Sequence, residues 1–244
     1  DVCTNGIGYA DLLFEIHNLD TDAVHYLGLL KSVLGAVDTE NYSYGELFNE
    51  VNARTGGIAY GIEVYDSATD TDAFRAMFAV RGKALYPEMD FMFSMIREVL
   101  TTSRLDDTKR LYEIIARVKS RAQANLVSAG HSTAVLRGAS YASPMAAFQD
   151  EMAGIGYYQF IEKLEKNFDS CKEEIVKNLR KVMEEVLRPE NFSVSYTGER
   201  ESLDAVKVQV GEIKKVLFNG QKPETSSQPS CTKKNEAFKT SGQV

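Results

Sequence analysis

The chain has 244 residues, of which 43% are hydrophobic and 26% are charged, and its net charge is −7. This size and composition are typical of a globular protein that buries an ample core as one large domain or two small ones. The acidic balance disfavours nucleic-acid binding, which needs clustered lysine and arginine, and no apolar run reaches the roughly 18 residues of a membrane span. We therefore expect neither nucleic acid nor a membrane as a partner.

Apolar side chains that alternate with a period of two predict four strands. A short polar loop joins the second strand to the third, which is typical of an antiparallel hairpin. The predicted strands cover residues 9–19, 58–65, 73–81 and 191–197.

Apolar side chains spaced 3.6 residues apart predict the helices between the strands, and capping residues mark their ends. Asp20 is a candidate N-cap, Gly56 and Gly57 end the second helix, and Pro87 suits the first turn of the third. The predicted helices cover residues 23–37, 42–54, 87–102, 171–187 and 202–218, one helix follows Asp107, and shorter helices surround Pro144. This order predicts an α+β fold, a two-layer sandwich of helices on a mostly antiparallel sheet.

Small residues dominate the segment 120–143, which predicts a tight crossing of helices in the core. The segment 219–235 is rich in Gln, Lys, Pro, Ser and Thr, which predicts a linker, and residues 237–244 are expected to begin a strand. The three cysteines, Cys3, Cys171 and Cys231, suggest neither a disulfide framework nor a zinc site and favour a reducing compartment. Because Asp1 is not a natural start, we expect a fragment of a longer polypeptide.

Several short motifs lie in a fixed order along the chain. They are Thr-Asn-Gly-Ile at 4–7, Thr-Gly-Gly-Ile at 55–58, Gly-His at 130–131, Arg-Gly-Ala-Ser-Tyr at 137–141 and Gly-Ile-Gly-Tyr-Tyr at 154–158. Together they resemble the third of four homologous domains in the presequence protease/falcilysin-type peptidases, a branch of the pitrilysin/insulinase zinc metallopeptidases. The resemblance covers residues 4–218. It implies that 1–218 is the third, non-catalytic domain, 219–235 a linker and 236–244 the truncated start of the fourth domain.

The family binds its zinc on a helix that carries His-x-x-Glu-His, with the glutamate as general base. The helix in the equivalent place here carries His25, Gly28 and Leu29 at those three positions. Glycine cannot accept a proton through a side chain and leucine cannot bind a metal, so we assign this chain no catalytic residue, no metal ligand and no cofactor. We expect His25 to lie at the surface or half-buried. The resemblance implies that the zinc belongs to the amino-terminal half of the parent.

The resemblance also suggests a substrate contact. In the family's catalytic domain, the strand after the second helix pairs with the extended peptide substrate. Its counterpart here begins with Thr55, Gly56, Gly57 and Ile58, where glycines would let another backbone approach closely. The alternative is that the glycine pair simply ends a helix and starts a strand.

The resemblance implies a zinc metalloendopeptidase parent that degrades short unstructured peptides in a closed chamber. This chain would be inactive alone and would contribute chamber wall, domain interfaces and substrate contacts, with the other domains and the peptides as its partners. The alternative is a catalytically inactive homologue that serves as a peptide-binding or assembly subunit. The expected location is the cytoplasm in a bacterium and the organelle matrix in a eukaryote.

Overall fold

The computed structural model describes residues 3–17, 19–70, 72–220 and 231–238. Its strands form one four-stranded sheet in the order β2-β3-β1-β4, in which each neighbouring pair is antiparallel. Phe14 of β1 lies opposite both Phe78 of β3 and Phe192 of β4. The strands are β1 (Ile7–Ile16), β2 (Ile58–Asp66), β3 (Phe74–Leu85) and β4 (Phe192–Thr197). The predicted α+β fold with an antiparallel sheet is confirmed.

Helices pack on one face of this sheet and form the second layer. In chain order they are α1 (Thr21–Val33), α2 (Tyr44–Arg54), α3 (Met89–Thr102), α4 (Thr108–Ser128), α5 (Gly130–Ala139), α6 (Pro144–Ala153), α7 (Ile155–Lys166), α8 (Phe168–Val186) and α9 (Leu203–Val216). Among the residues that the structure describes, no helix is long and apolar enough to cross a membrane.

The core lies between the sheet and the helices. Leu12, Phe14 and Phe78 point from the sheet into this layer and are fully buried, as are Leu27 and Leu30 of α1. Burial of large apolar side chains is the main favourable term in folding, so α1 is held chiefly by its position in the core.

Local capping explains where the helices begin. The Asp20 side chain accepts a hydrogen bond from the Ala23 amide at the start of α1. Ser43 and Glu46 form a reciprocal capping box at the start of α2. Each cap satisfies backbone donors that the first turn of a helix leaves free.

Two boundaries differ from the prediction for reasons that involve glycine. The first helix ends at Val33 and not at 37, because Gly35 adopts a positive φ of 75° that a helix does not allow. The third strand continues through Gly82 to Leu85. A Cβ at Gly82 would lie 2.6 Å from the sulfur of Met92, so this glycine allows α3 to approach the sheet closely.

The prediction of a tight helical crossing at 120–143 is wrong. Most of these small residues are exposed, and a Cβ at Gly130 or Gly138 would meet no atom within 4 Å. Small side chains are compatible with close packing but do not require it, and here they lie mainly on the outer faces of α4 and α5.

After α9 the structure describes residues 217–220 and 231–238, and neither stretch contains helix or strand. The linker prediction falls largely on residues outside the described part. Of the predicted strand at 237–244, the structure describes residues 237 and 238 and assigns them no strand.

Candidate functional site

The three positions of the expected zinc motif lie on α1, in the middle of the helical layer. Leu29 is fully buried in the core. At Gly28, an added Cβ would lie 2.7 Å from the carbonyl oxygen of Met152 and 2.8 Å from the ring of Tyr157. These contacts show that α6 and α7 occupy the space that a motif glutamate would need.

His25 is buried, at 9% exposed, and not at the surface or half-buried as the sequence suggested. Its ring stacks on Phe160 with centroids 4.5 Å apart, and its Nε2 lies 2.6 Å from a carboxylate oxygen of Glu151. Glu151 lies 126 positions further along the chain, so no local pattern points to this partner.

The His25–Glu151 hydrogen bond also affects the carboxylate. Burial acts to raise the pKa of Glu151, but the hydrogen bond with His25 and the nearby positive charge of Arg137 outweigh it and hold that pKa below its ordinary value. The carboxylate is therefore ionised at neutral pH and accepts a hydrogen bond from the Nε2–H group of His25. No group of three or more potential ligands could hold a metal within the described ranges, and the residues at the motif positions do not fit zinc.

A second polar cluster lies beside this pair. The guanidinium of Arg137 on α5 is 8% exposed and donates to Asp150 on α6 and, through Nε and Nη2, to both carboxylate oxygens of Glu236 at 2.8 and 2.9 Å. Asp150 also accepts the amides of Ile155 and Gly156 at the start of α7. We call Arg137, Tyr141, Asp150 and Glu236 the Arg137 cluster.

The sequence motif at 137–141 contains Arg137 and Tyr141, and the motif at 154–158 supplies the two amides that Asp150 binds, but neither motif predicts the cluster. Arg137 and Glu236 are 99 positions apart, and a carboxylate near a helix start, such as Asp150, is a weak signal without its partners. The one available signal is an arginine inside a segment of small residues.

The proposed substrate segment lies on the opposite side of the sheet from α1. Gly56, Gly57 and Ile58 line one surface cavity of about 300 Å³, so the structure brings three of the four predicted residues together. The other lining residues come from β1, β2 and β3 and are Tyr9, Asp11, Ala59, Arg81, Gly82 and Lys83.

Thr55, next to this cavity, has a structural role. Its hydroxyl donates to the Val51 carbonyl at 2.7 Å and accepts the Gly57 amide at 2.9 Å, which closes α2 and starts β2. Gly57 has a φ of 104°, so a glycine is needed there for the turn itself. The glycine pair therefore ends α2 and starts β2 and also lines the cavity, and a substrate contact there stays a prediction.

The sheet face that carries this cavity is the one away from the helices. It presents Tyr9 at 42% and Tyr65 at 48% exposed, together with two ion-paired arginines. Arg75 donates to both carboxylate oxygens of Glu15 at 2.9 Å, and Arg81 lies 2.9 Å from a carboxylate oxygen of Glu63. β2 is at the edge of the sheet, so one side of its backbone has no neighbouring strand within the described part of the chain.

Known proteins match the chain over most of its length. A family model described as associated with peptidases of family M16, subfamily C, matches residues 1–164. A protein named HypA from Clostridium perfringens is 29% identical over 244 residues, which are 100% of this chain and 25% of that protein.

Two further relatives carry the name presequence protease. The mitochondrial protein of Yarrowia lipolytica is 26% identical over 79% of this chain and 20% of its own length. The chloroplastic/mitochondrial protein 1 of Arabidopsis thaliana is 24% identical over 89% of this chain and 20% of its own length. The chain thus spans a quarter or less of these relatives.

The fold has a counterpart among solved structures. A conserved protein from Enterococcus faecalis V583 superposes with a TM-score of 0.59 over 93% of this chain and 51% of that one, at 10% identity. This likeness concerns the fold alone.

Proposed function

Because the chain belongs to the family associated with subfamily C of the M16 peptidases, we propose that it is a non-catalytic domain of a zinc metalloendopeptidase that degrades short unstructured peptides. The names of its relatives support a peptidase parent. The zinc and the general base would lie in the amino-terminal half of that parent. This chain would contribute chamber wall and domain interfaces, with 1–218 as the domain and 236–244 as the start of the next.

The observation that carries the proposal is the state of the motif helix. Met152 and Tyr157 occupy the space at Gly28, Leu29 is in the core, and His25 is hydrogen-bonded to Glu151. We expect these residues not to bind a metal, because glycine and leucine have no donor atom in their side chains and the Nε2 of His25 is engaged by Glu151.

The outer sheet face supports a role in the chamber wall. Its edge strand β2 lacks a neighbouring strand on one side within the described residues, and the cavity at Gly56 and Gly57 lies beside it. Strand addition at a sheet edge is a general way to bind extended peptides through their main chain. Chamber size would then exclude folded proteins from the substrates.

A bulky side chain introduced into the cavity of the full-length parent tests whether this sheet face contacts the peptide. Ala59 is exposed, lies in β2 opposite Arg81 and lines the cavity, so Ala59→Trp blocks the site without strain. Gly57 is unsuitable because its positive φ makes any substitution strained. We expect Ala59→Trp to lower kcat/KM for an unstructured peptide about tenfold.

The matched control is Ala134→Trp, the same change at an exposed alanine of α5 on the helical side. We expect it to leave kcat/KM within about twofold of the parent, since it is remote from the sheet face. Equal kcat/KM values for Ala59→Trp and Ala134→Trp would show that the cavity does not contact the substrate.

The alternative, a peptide-binding or assembly subunit that lacks activity, requires the amino-terminal half to lack the motif as well. An intact His-x-x-Glu-His in that half favours the peptidase, and its loss favours the subunit.

The names of the relatives bear on the cellular location of the parent. Two of them are named for mitochondria or chloroplasts, which supports an organelle matrix if the parent is eukaryotic. The cytoplasm remains our prediction for a bacterial parent.

A further inference from the structure

The Arg137 cluster has the geometry of a carboxylate-binding site. A guanidinium has a planar fork of donors that matches the two oxygens of a carboxylate, and such paired, charge-assisted bonds are among the strongest hydrogen bonds in proteins. Asp150 binds one side of the Arg137 fork and thereby holds it in place. The other side, Nε and Nη2, is bound by Glu236.

Further contacts distinguish this site from a single surface ion pair. The hydroxyl of Tyr141 donates to the same Glu236 carboxylate at 2.9 Å. Thr232 and Lys234 line a cavity of about 230 Å³ that Arg137 also lines. The chain around Glu236 therefore meets the helical layer at more than one residue.

Charge complementarity extends beyond Glu236. Lys234 lines the same cavity as Glu151 and Arg137. The hydrogen bond from Arg137 is the main cause that lowers the pKa of Glu236, and the positive charge of Lys234 adds a smaller effect in the same direction. Lys234 and Glu236 of the segment thus lie beside groups of opposite charge on the helical layer, Glu151 and Arg137.

We propose that the face formed by the start of α1, α5 and α6 is a docking site for the chain's own segment 231–238, with Arg137 and Tyr141 as the receptor for Glu236. The ligand is a carboxylate supplied in cis. Docking holds residues 231–238 against the helical layer. This inference concerns the chain itself and stands whether or not the parent is a peptidase.

The shared partner Asp150 links the docked segment to the interior. Asp150 accepts hydrogen bonds from Arg137 on one side and from the first amides of α7 on the other. Phe160 of α7 in turn stacks on His25 of α1. The segment is therefore anchored to the same helices that cover the motif positions, and its docking is expected to be sensitive to their packing.

Limited proteolysis of the whole chain tests the docking. Trypsin cleaves after Lys233 and Lys234, and a docked segment resists cleavage because the protease needs an extended, free strand; the rate then follows the population of the undocked form. Glu236→Gln removes the charge that Arg137 binds, so we expect initial cleavage there to become about tenfold faster. Tyr141→Phe, which removes one hydrogen bond, should give a smaller increase.

The matched control is Glu40→Gln, which neutralises an exposed carboxylate in the loop before α2 and should leave the rate unchanged. Free peptides of residues 229–240, with glutamate or glutamine at 236, correct for the preference of the protease. Circular dichroism of each variant confirms that the domain stays folded. Equal corrected rates for the parent and Glu236→Gln, or cleavage of the parent as fast as the free peptide, would overturn the proposal.

Discussion

Gly28 is a residue at which α1 packs closely against the helices that cover it. The absence of a side chain lets the carbonyl of Met152 and the ring of Tyr157 lie against the α1 backbone. On our proposal that α1 is the counterpart of the zinc-motif helix, packing occupies the place of the motif glutamate. The sequence showed that Gly28 cannot act as a base, but it did not show what fills the space.

An alanine at this position measures how tight the contact is. Gly28→Ala gains about 1 kcal/mol of helix propensity, but its Cβ would clash with a backbone oxygen that cannot turn away, and overpacking costs about 1–3 kcal/mol or more. We expect a net loss of about 1–2 kcal/mol in the free energy of unfolding, measured by urea denaturation.

Gly211 is the matched control, because it also lies inside a helix, α9, but a Cβ there would meet no atom within 4 Å. Gly211→Ala should raise the free energy of unfolding by about 0.5–1 kcal/mol. A Gly28→Ala variant as stable as Gly211→Ala would mean that the motif position is open and not packed.

For His25, the sequence predicts that it is not a metal ligand but does not predict its burial or its partner. An isolated histidine beside Gly28 and Leu29 argued against a metal ligand set, since several suitable side chains are required. Its burial and its bond to Glu151 depend on how α6 folds back onto α1, which the residues around His25 do not encode.

At the scale of elements, Asp150 joins three helices. It lies on α6, pairs with Arg137 of α5 and caps the start of α7, and its side chain is 1% exposed. A buried carboxylate is tolerated when each oxygen is hydrogen-bonded and its charge is compensated, as both are here.

Asp150→Asn removes the charge while it keeps the shape. The buried guanidinium of Arg137 then loses its inner partner, and breaking one partner of a buried pair costs about 3–5 kcal/mol in other proteins. We expect a loss of about 3 kcal/mol in the free energy of unfolding, at the low end because the Glu236 side remains and an asparagine can still accept one amide of α7.

Asp169→Asn is the control for this change, since Asp169 is exposed in the first turn of α8. Its effect should stay within about 0.5 kcal/mol. If both variants unfold at the same urea concentration, Asp150 does not hold the helices together.

Periodicity predicted the elements well because most of them have one buried face. The alternation in β1 and the stripe of α8 follow directly from packing on a single sheet. The small residues at 120–143 misled the prediction, because composition indicates that close packing is possible but not whether a second helix is there. The predicted third strand stopped before Gly82, whose role depends on Met92 of another element.

At the scale of the whole molecule, the two faces of the sheet have different roles. One face carries the helical layer, in which the motif helix and the Arg137 cluster are buried or covered. The other face carries the cavity at Gly56 and Gly57 and exposed tyrosines. This difference between the faces is consistent with our proposal that the domain lines a chamber whose chemistry lies in another part of the parent.

We propose that this chain lacks peptidase activity of its own and belongs to a parent that has it. The most direct measurement is zinc-supplemented cleavage of a quenched, unstructured peptide, first by this chain alone and then with the missing amino-terminal and fourth domains restored. We expect no turnover by the chain alone and chelator-sensitive turnover on restoration. Chelator-sensitive turnover by the chain alone, or none in either case, would contradict the account.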